Sequence, residues 1–297
     1  MKGFGRRAGD SPRQRRRKGS GVSVGFEGKV AIIQFPGVNC EYETSRAVRS
    51  VGLEADLFRW NQDPHLLDPC TAVVLPGGFS YQDRIRAGVV AAKDRIMDKV
   101  SALAREGRPV LGICNGAQVL VESGLIPGIH WERVDLALAP NRMPDREGYY
   151  CTWIYLRREG DRCIWTRMFD EGEVIPIPMA HAEGRFVTTD SGILQEMNRN
   201  GQVVLRYCTS GGDVEEDFPV NPNGSVSNIA GVCNAAGNVL AMMPHPERAA
   251  WLRQVPEDLQ GPWGGRRIRA SGSWRELEKE GPGMRFFSSL AGEGVRS

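Results

Sequence analysis

What this chain lacks narrows it first. It has no C-x-x-C pair, and its seven cysteines, Cys40, Cys70, Cys114, Cys151, Cys163, Cys208 and Cys233, are odd in number and widely spaced. That pattern excludes a disulfide framework or a zinc site and fits a reducing, cytoplasmic setting. No apolar run approaches the ~18 residues that a membrane span requires, and no N-terminal apolar h-region marks a secretory signal. A soluble protein without a membrane partner is expected. There is no G-x-x-x-x-G-K-[ST] run, so no ATP site is expected in this chain, and no internal repeat is evident. Histidine is scarce, at four: His65, His130, His181 and His245.

What is present suffices for one catalytic domain. The 297 residues are 41% hydrophobic, enough to bury a full core. The formal net charge of +2 hides an asymmetry. Residues 1–27 carry Lys2, Arg6, Arg7, Arg13, Arg15, Arg16, Arg17 and Lys18 against Asp10 and Glu27, and the remainder is acidic. Low hydrophobicity with high charge predicts a disordered basic tail over 1–27. Such a tail could meet phosphates, but a solvated extension or extra residues from an upstream start codon is the better account, and no nucleic-acid partner is expected. The domain then runs from 28 to 297.

Lys29 to Phe35 is a nearly continuous apolar run ending in Pro-Gly, as in a parallel strand covered on both faces. A helix is expected from about Glu43 to Ser50. Strands follow at Ala55–Trp60 and Thr71–Leu75, then a long helical segment from Ile85 to Arg105 and a strand from Pro109 to Ile113. This alternation predicts an α/β fold: a mostly parallel central sheet with flanking helices. The later half reads as a smaller antiparallel region, with Gln202–Tyr207 and a hairpin of Ile229–Cys233 and Val239–Met243. Residues 250–282, rich in Trp, Pro, Gly and Arg without clear periodicity, read as an irregular insertion before a last apolar helix at Met284–Leu290.

Chemistry concentrates at two places. In Val110-Leu111-Gly112-Ile113-Cys114-Asn115-Gly116, an apolar run stops at a cysteine flanked two residues on either side by glycine, the pattern of a nucleophile elbow. Small neighbours are needed because the chain reverses sharply there. In Met243-Pro244-His245-Pro246-Glu247, two prolines hold an imidazole and a carboxylate in one rigid turn after a strand. Cys114, His245 and Glu247 thus read as nucleophile, base and orienter. A helix N-terminus and an adjacent imidazole both favour a thiolate. Cys40 also follows a strand but lacks the paired glycines, and reads as structural.

Taken with Phe35-Pro36-Gly37-Val38-Asn39-Cys40, Leu75-Pro76-Gly77-Gly78-Phe79-Ser80-Tyr81, His181-Ala182-Glu183-Gly184 and Asn221-Pro222-Asn223-Gly224-Ser225, these segments resemble the class I (triad-type) glutamine amidotransferases. Within them they resemble the branch of glutaminase subunits of phosphoribosylformylglycinamidine synthase. The resemblance runs from about Lys29 to Ala249 and resumes at Gly283–Leu290. It implies that glutamine is hydrolysed to glutamate and ammonia, with no cofactor in this chain. The ammonia would pass to a separate synthetase subunit that holds ATP and magnesium, and a small bridging subunit would join the two. It also implies an oxyanion loop at Gly77, Gly78 and Phe79, a second oxyanion donor at the Asn115 N–H, and a glutamine pocket reached by Gln118, His181 and Glu183. Gln82 departs from the glycine usual after Phe-Ser-Tyr in that branch. Two other readings stay open at this point: a class I glutaminase serving another synthetase, and a catalytically silent interaction or nucleic-acid-binding protein acting through its basic tail.

Overall fold

A computed structural model describes residue 1, residues 28–130 and residues 133–291. The expected tail at 1–27 lies outside this range but for residue 1. The strands, in chain order, are β1 (Lys29–Gln34), β2 (Glu54–Arg59), β3 (Cys70–Leu75), β4 (Val110–Ile113), β5 (Ala137–Ala139), β6 (Tyr150–Arg158), β7 (Val174–His181), β8 (Arg185–Val187), β9 (Val203–Cys208), β10 (Ile229–Cys233) and β11 (Val239–Met242). The helices are α1 (Glu41–Ser50), α2 (Val89–Ala92), α3 (Arg95–Arg105), α4 (Asn115–Glu122), α5 (Ser191–Arg199), α6 (Pro262–Ala270), α7 (Trp274–Leu277) and α8 (Met284–Ala291).

Nine strands form one sheet in the order β2-β1-β3-β4-β11-β10-β9-β6-β7, with β5 and β8 paired separately. From β2 to β11 every neighbour is parallel. Beyond β11 the same sheet continues antiparallel. The α/β expectation holds, and the antiparallel strands extend the central sheet. Consecutive residues Val30, Ala31, Ile32 and Ile33 are all buried, as are the whole of β4 and β11. Because successive side chains point to opposite faces, both faces are covered, which is why these strands read as unbroken apolar runs.

The pairing of β4 with β11 positions the site. The β10–β11 hairpin places β11 alongside β4, parallel, with Val239 opposite Val110 and Met242 opposite Ile113. Parallel strands in matched register end together. The residues just after β4 and just after β11 therefore emerge at one edge, where ligands gather in open α/β sheets.

Two expectations are corrected. The segment 85–105 is not one helix. Tyr81, Gln82, Asp83 and Ile85 all take positive φ, and Gly88 at φ 79° precedes the single turn of α2. Asp94 then takes an extended conformation and accepts the Ile96 N–H, starting α3 afresh as its N-cap. Residues 250–282 are not irregular throughout, since they hold α6, begun by Pro262 at its first position, and α7, capped by Ser273. Only Gly264 and Ala270 of α6 are buried, so this helix shows the sequence no apolar stripe.

Candidate active site

Cys114 sits between β4 and α4 at φ 51°, ψ −106°, a conformation that non-glycine residues rarely adopt and that marks a strained turn. Its glycine neighbours are steric requirements. A Cβ on Gly116 would lie 1.9 Å from the Leu75 carbonyl oxygen, and one on Gly112 would lie 2.5 Å from that of Gly116. The elbow is fixed to the next strand by the Cys114 N–H donating to Met242 O at 2.8 Å. The Cys114 thiol faces the Ala180 carbonyl at 3.6 Å.

His245 arrives from β11 and is anchored by its N–H donating to Pro178 O at 2.8 Å. Its Nδ1 lies 2.6 Å from Glu247 Oε1, with His245 2% and Glu247 0% exposed. A carboxylate at Nδ1 holds the proton there and leaves Nε2 to accept another, and Nε2 has no hydrogen-bond partner among the described residues. Burial opposes charge on this ring, yet Glu247 and then Cys114 hold its pKa well above the ordinary 6.5. Glu247 meets the imidazole directly, and Cys114 is among the groups whose charge and hydrogen bonding act on it.

Gly77 is glycine because a Cβ there would meet His245 Cε1 at 2.7 Å. Gly78, at φ 149°, is pressed against Val38 and Asn39, where a Cβ would lie 2.6 Å from Val38 Cα. Phe79 departs from expectation, because its N–H donates to Gly37 O at 2.9 Å and is not free for an oxyanion. Gly78 remains the loop's candidate donor. It would act with the Asn115 N–H, which opens α4 and has no preceding turn to receive it. The Phe79 ring instead stands at the rim beside Tyr149, with ring centroids 6.5 Å apart and both about half exposed, at 45% and 47%.

The remaining predicted residues form a scaffold. Asn115 Oδ1 accepts the Ser80 N–H at 3.0 Å, and its Nδ2 donates to Asp83 Oδ1 at 3.1 Å and to Gln118 Oε1 at 2.9 Å. Gln118 Nε2 in turn donates to the Glu183 carbonyl at 2.6 Å, so its amide braces the 181–184 loop rather than standing open for a ligand. His181 is buried with Nδ1 3.0 Å from Asn141 Oδ1. Burial, aided by the charge on His245, pushes its pKa down to about 3, which keeps it neutral and leaves His245 as the base. Asn223 Nδ2 donates to Gly184 O at 2.9 Å and Ser225 Oγ accepts the Phe186 N–H at 3.1 Å. The Asn-Pro-Asn-Gly-Ser segment therefore holds the same loop from below.

Sequence reasoning missed three residues here. Asp83 is half-buried, and burial followed by the Glu183 charge pushes its carboxyl up to about 6. Arg248 donates from Nη2 to Cys40 Sγ at 3.4 Å. Cys40, read as structural, lies with its sulfur, a His245 ring nitrogen and a Glu247 oxygen all within 4.8 Å of one another. That spacing resembles a ligand set. The 2.6 Å His245–Glu247 contact, however, is shorter than the roughly 3.3 Å separating two ligand atoms on one tetrahedral ion.

Known proteins resemble the chain over most of its length. Residues 27–290 match the family described as the CobB/CobQ-like glutamine amidotransferase domain. Phosphoribosylformylglycinamidine synthase subunit PurQ of Methanothrix thermoacetophila is 46% identical over 269 residues, covering 88% of this chain and 96% of that protein. The PurQ subunit of Aquifex aeolicus is 43% identical, covering 78% and 93%. Among solved structures, PurLQS from Thermotoga maritima has a chain that superposes with a TM-score of 0.65 at 30% identity, covering 89% of this chain and 97% of that one. The chain belongs to the glutamine amidotransferase family, in the branch of the phosphoribosylformylglycinamidine synthase glutaminase subunits.

Proposed function

We propose that this chain is the glutaminase of a phosphoribosylformylglycinamidine synthase, with Cys114, His245 and Glu247 as its catalytic triad. The observation that carries the triad is the matched parallel register of β4 and β11, which delivers the strained thiol and the Glu247-held imidazole to the same edge.

The chemistry is dictated by those positions. Cys114 Sγ attacks the side-chain carbonyl carbon of glutamine as His245 Nε2 takes the thiol proton. The negative oxygen forms against the N–H groups of Gly78 and Asn115, where losing one donor costs roughly 3 kcal/mol of transition-state stabilisation. His245 returns its proton to the leaving nitrogen, ammonia departs, and a glutamyl thioester remains. His245 then removes a proton from water as the water oxygen attacks the thioester. Collapse of that second intermediate expels the Cys114 sulfur and releases glutamate. Glu247 keeps the ring in one tautomer and offsets its charge throughout.

Ammonia goes to a synthetase subunit that holds ATP and magnesium and converts formylglycinamide ribonucleotide to formylglycinamidine ribonucleotide in purine biosynthesis. A small bridging subunit joins the two. The isolated chain should be slow, because free glutaminase activity wastes glutamine, and the partner acts by favouring the competent form of the 77–83 loop. The setting is the cytoplasm; no described helix is long and apolar enough to cross a membrane.

The test is glutamate release from glutamine by the purified chain, with and without the synthetase subunit and its ligands, using Cys114→Ala as the blank. Stimulation that depends on Cys114 supports the assignment. Cys114-dependent activity indifferent to that partner would assign the chain to another synthetase, and no such activity under either condition would overturn the enzymatic reading.

A further inference from the structure

The imidazole of His245 is bordered by two sulfurs, and the reaction uses one of them. The other, Cys40, is 1% exposed and sits at the N-cap of α1, in the loop after β1. Its hydrogen bonds fix the direction of the thiol. Cys40 Sγ donates to Asn39 Oδ1 at 3.3 Å and accepts from Arg248 Nη2 at 3.4 Å. With its proton turned to Asn39, the sulfur presents lone pairs to its remaining neighbours. Gly77 adds an independent measure of how close the ring and the sulfur come. The point where a Cβ on Gly77 would stand is 2.7 Å from His245 Cε1, 3.3 Å from Nδ1 and 3.3 Å from Cys40 Sγ. Absence of a side chain at Gly77 thus lets sulfur and imidazole share one small space.

We propose that Cys40 is a positioning residue of the glutaminase reaction, an oriented sulfur acceptor that holds the His245 ring in its charged form while Asn39 and Arg248 fix the thiol's direction. This rests on the glutaminase reading above. Cys40 itself is not a second nucleophile, because it lacks the strained elbow and its proton is committed to Asn39. Its effect falls on the imidazolium that exists after Cys114 has given up its proton, when the ring edge between Nδ1 and Nε2 is most positive. The groups facing His245 are Glu247 and Arg248 on its own turn, Cys114 at the start of α4, Cys40 before α1, His181 at the end of β7 and Tyr149 before β6. His181 is neutral, so Glu247 and the two sulfurs are the groups favouring charge on the ring. Cys40 is among the contacts that raise the pKa of His245 against burial.

Loss of the acceptor acts in one direction. A raised imidazole pKa keeps the ring charged above pH 6.5, and the charge is lost as pH rises through the folded value. Removing an acceptor should bring that loss to lower pH. Cys40→Val removes the acceptor and fills the site with a slightly larger apolar side chain, whereas Cys40→Ser keeps an acceptor. Both are measured in the full chain assembled with its synthetase partner, as kcat/KM for glutamine against pH, alongside thermal melts. We expect the alkaline midpoint to fall by about half a pH unit in Cys40→Val, the scale of a weak hydrogen bond to a charged group, and to stay within about 0.2 unit in Cys40→Ser. An unmoved midpoint in Cys40→Val, or equal displacement in both variants, overturns the proposal and leaves Cys40 as packing. Should the valine variant not fold, Asn39→Ala at its exposed position frees the thiol to turn its proton toward the ring. A smaller shift in the same direction is then expected, and no shift overturns the proposal. Absence of any Cys114-dependent glutaminase activity in the parent assembly would instead refute the glutaminase reading itself.

Discussion

Gly116→Ala is the sharpest test of the elbow, because one methyl group meets backbone on the neighbouring strand. The added Cβ would lie 1.9 Å from the Leu75 carbonyl oxygen and 2.6 Å from its carbon, about 1.5 Å short of ordinary contact. Neither atom is a side-chain end that can swing away, since Leu75 closes β3 and its neighbour Val74 pairs with Leu111 of β4. Relief therefore requires the start of α4 to withdraw from the sheet by about that distance. Cys114 and the Asn115 N–H would move with it. A misplacement of about 1 Å costs on the order of 100-fold in rate, and overpacking of this kind costs about 1–3 kcal/mol of stability. Gly272→Ala is the control, since no atom of the described residues lies within 4 Å of the added carbon and the backbone is not left-handed. Glutaminase kcat/KM and the thermal midpoint are measured for both variants. Retention of activity within threefold of the parent in Gly116→Ala would refute the claim that the paired glycines set the nucleophile's position.

Three further outcomes are expected. Glu247→Gln should lower kcat/KM by about 10³–10⁴ and move the alkaline limb to lower pH, since the carboxylate holds His245 well above its ordinary pKa; an unchanged limb would mean that another group sustains the imidazolium. Asp83, raised to about 6, binds its proton more tightly folded than unfolded, so its contribution to stability falls as pH rises from about 4 to 6. Asp83→Asn should stabilise the chain by about 1 kcal/mol at pH 8, after discounting for partial exposure, and not at pH 4; denaturant titrations at the two pH values that show equal effects would contradict this. Gln82 holds φ 60°, a left-handed conformation costing about 1–2 kcal/mol outside glycine, of which Gly's greater chain entropy cancels roughly 0.5–1. Gln82→Gly should therefore raise the thermal midpoint slightly, and a fall would show that the Gln82 side chain does more than occupy the turn.

The sequence by itself determined the parallel strands and the elbow, because both leave local marks. A strand buried on both faces reads as an unbroken apolar run, and a sharp strand-to-helix turn demands glycines at fixed offsets. It also determined the His245–Glu247 pair, since two prolines and a two-residue spacing confine imidazole and carboxylate to one turn. Helix α6 was illegible because a mostly exposed helix with two glycines writes no periodicity. The break before α2 hung on left-handed backbone at Ile85, a residue type that does not announce it, together with Gly88. Only the tertiary structure decided the rest. Phe79 gives its N–H to Gly37, and the Gln118 amide braces the Glu183 loop. Cys40 faces His245 across the gap left by Gly77, and Arg248 binds the sulfur of a residue 208 positions away. Those partners are far apart in sequence and meet only because the sheet order brings β1, β3, β4 and β11 to one edge, which no local pattern of residues encodes.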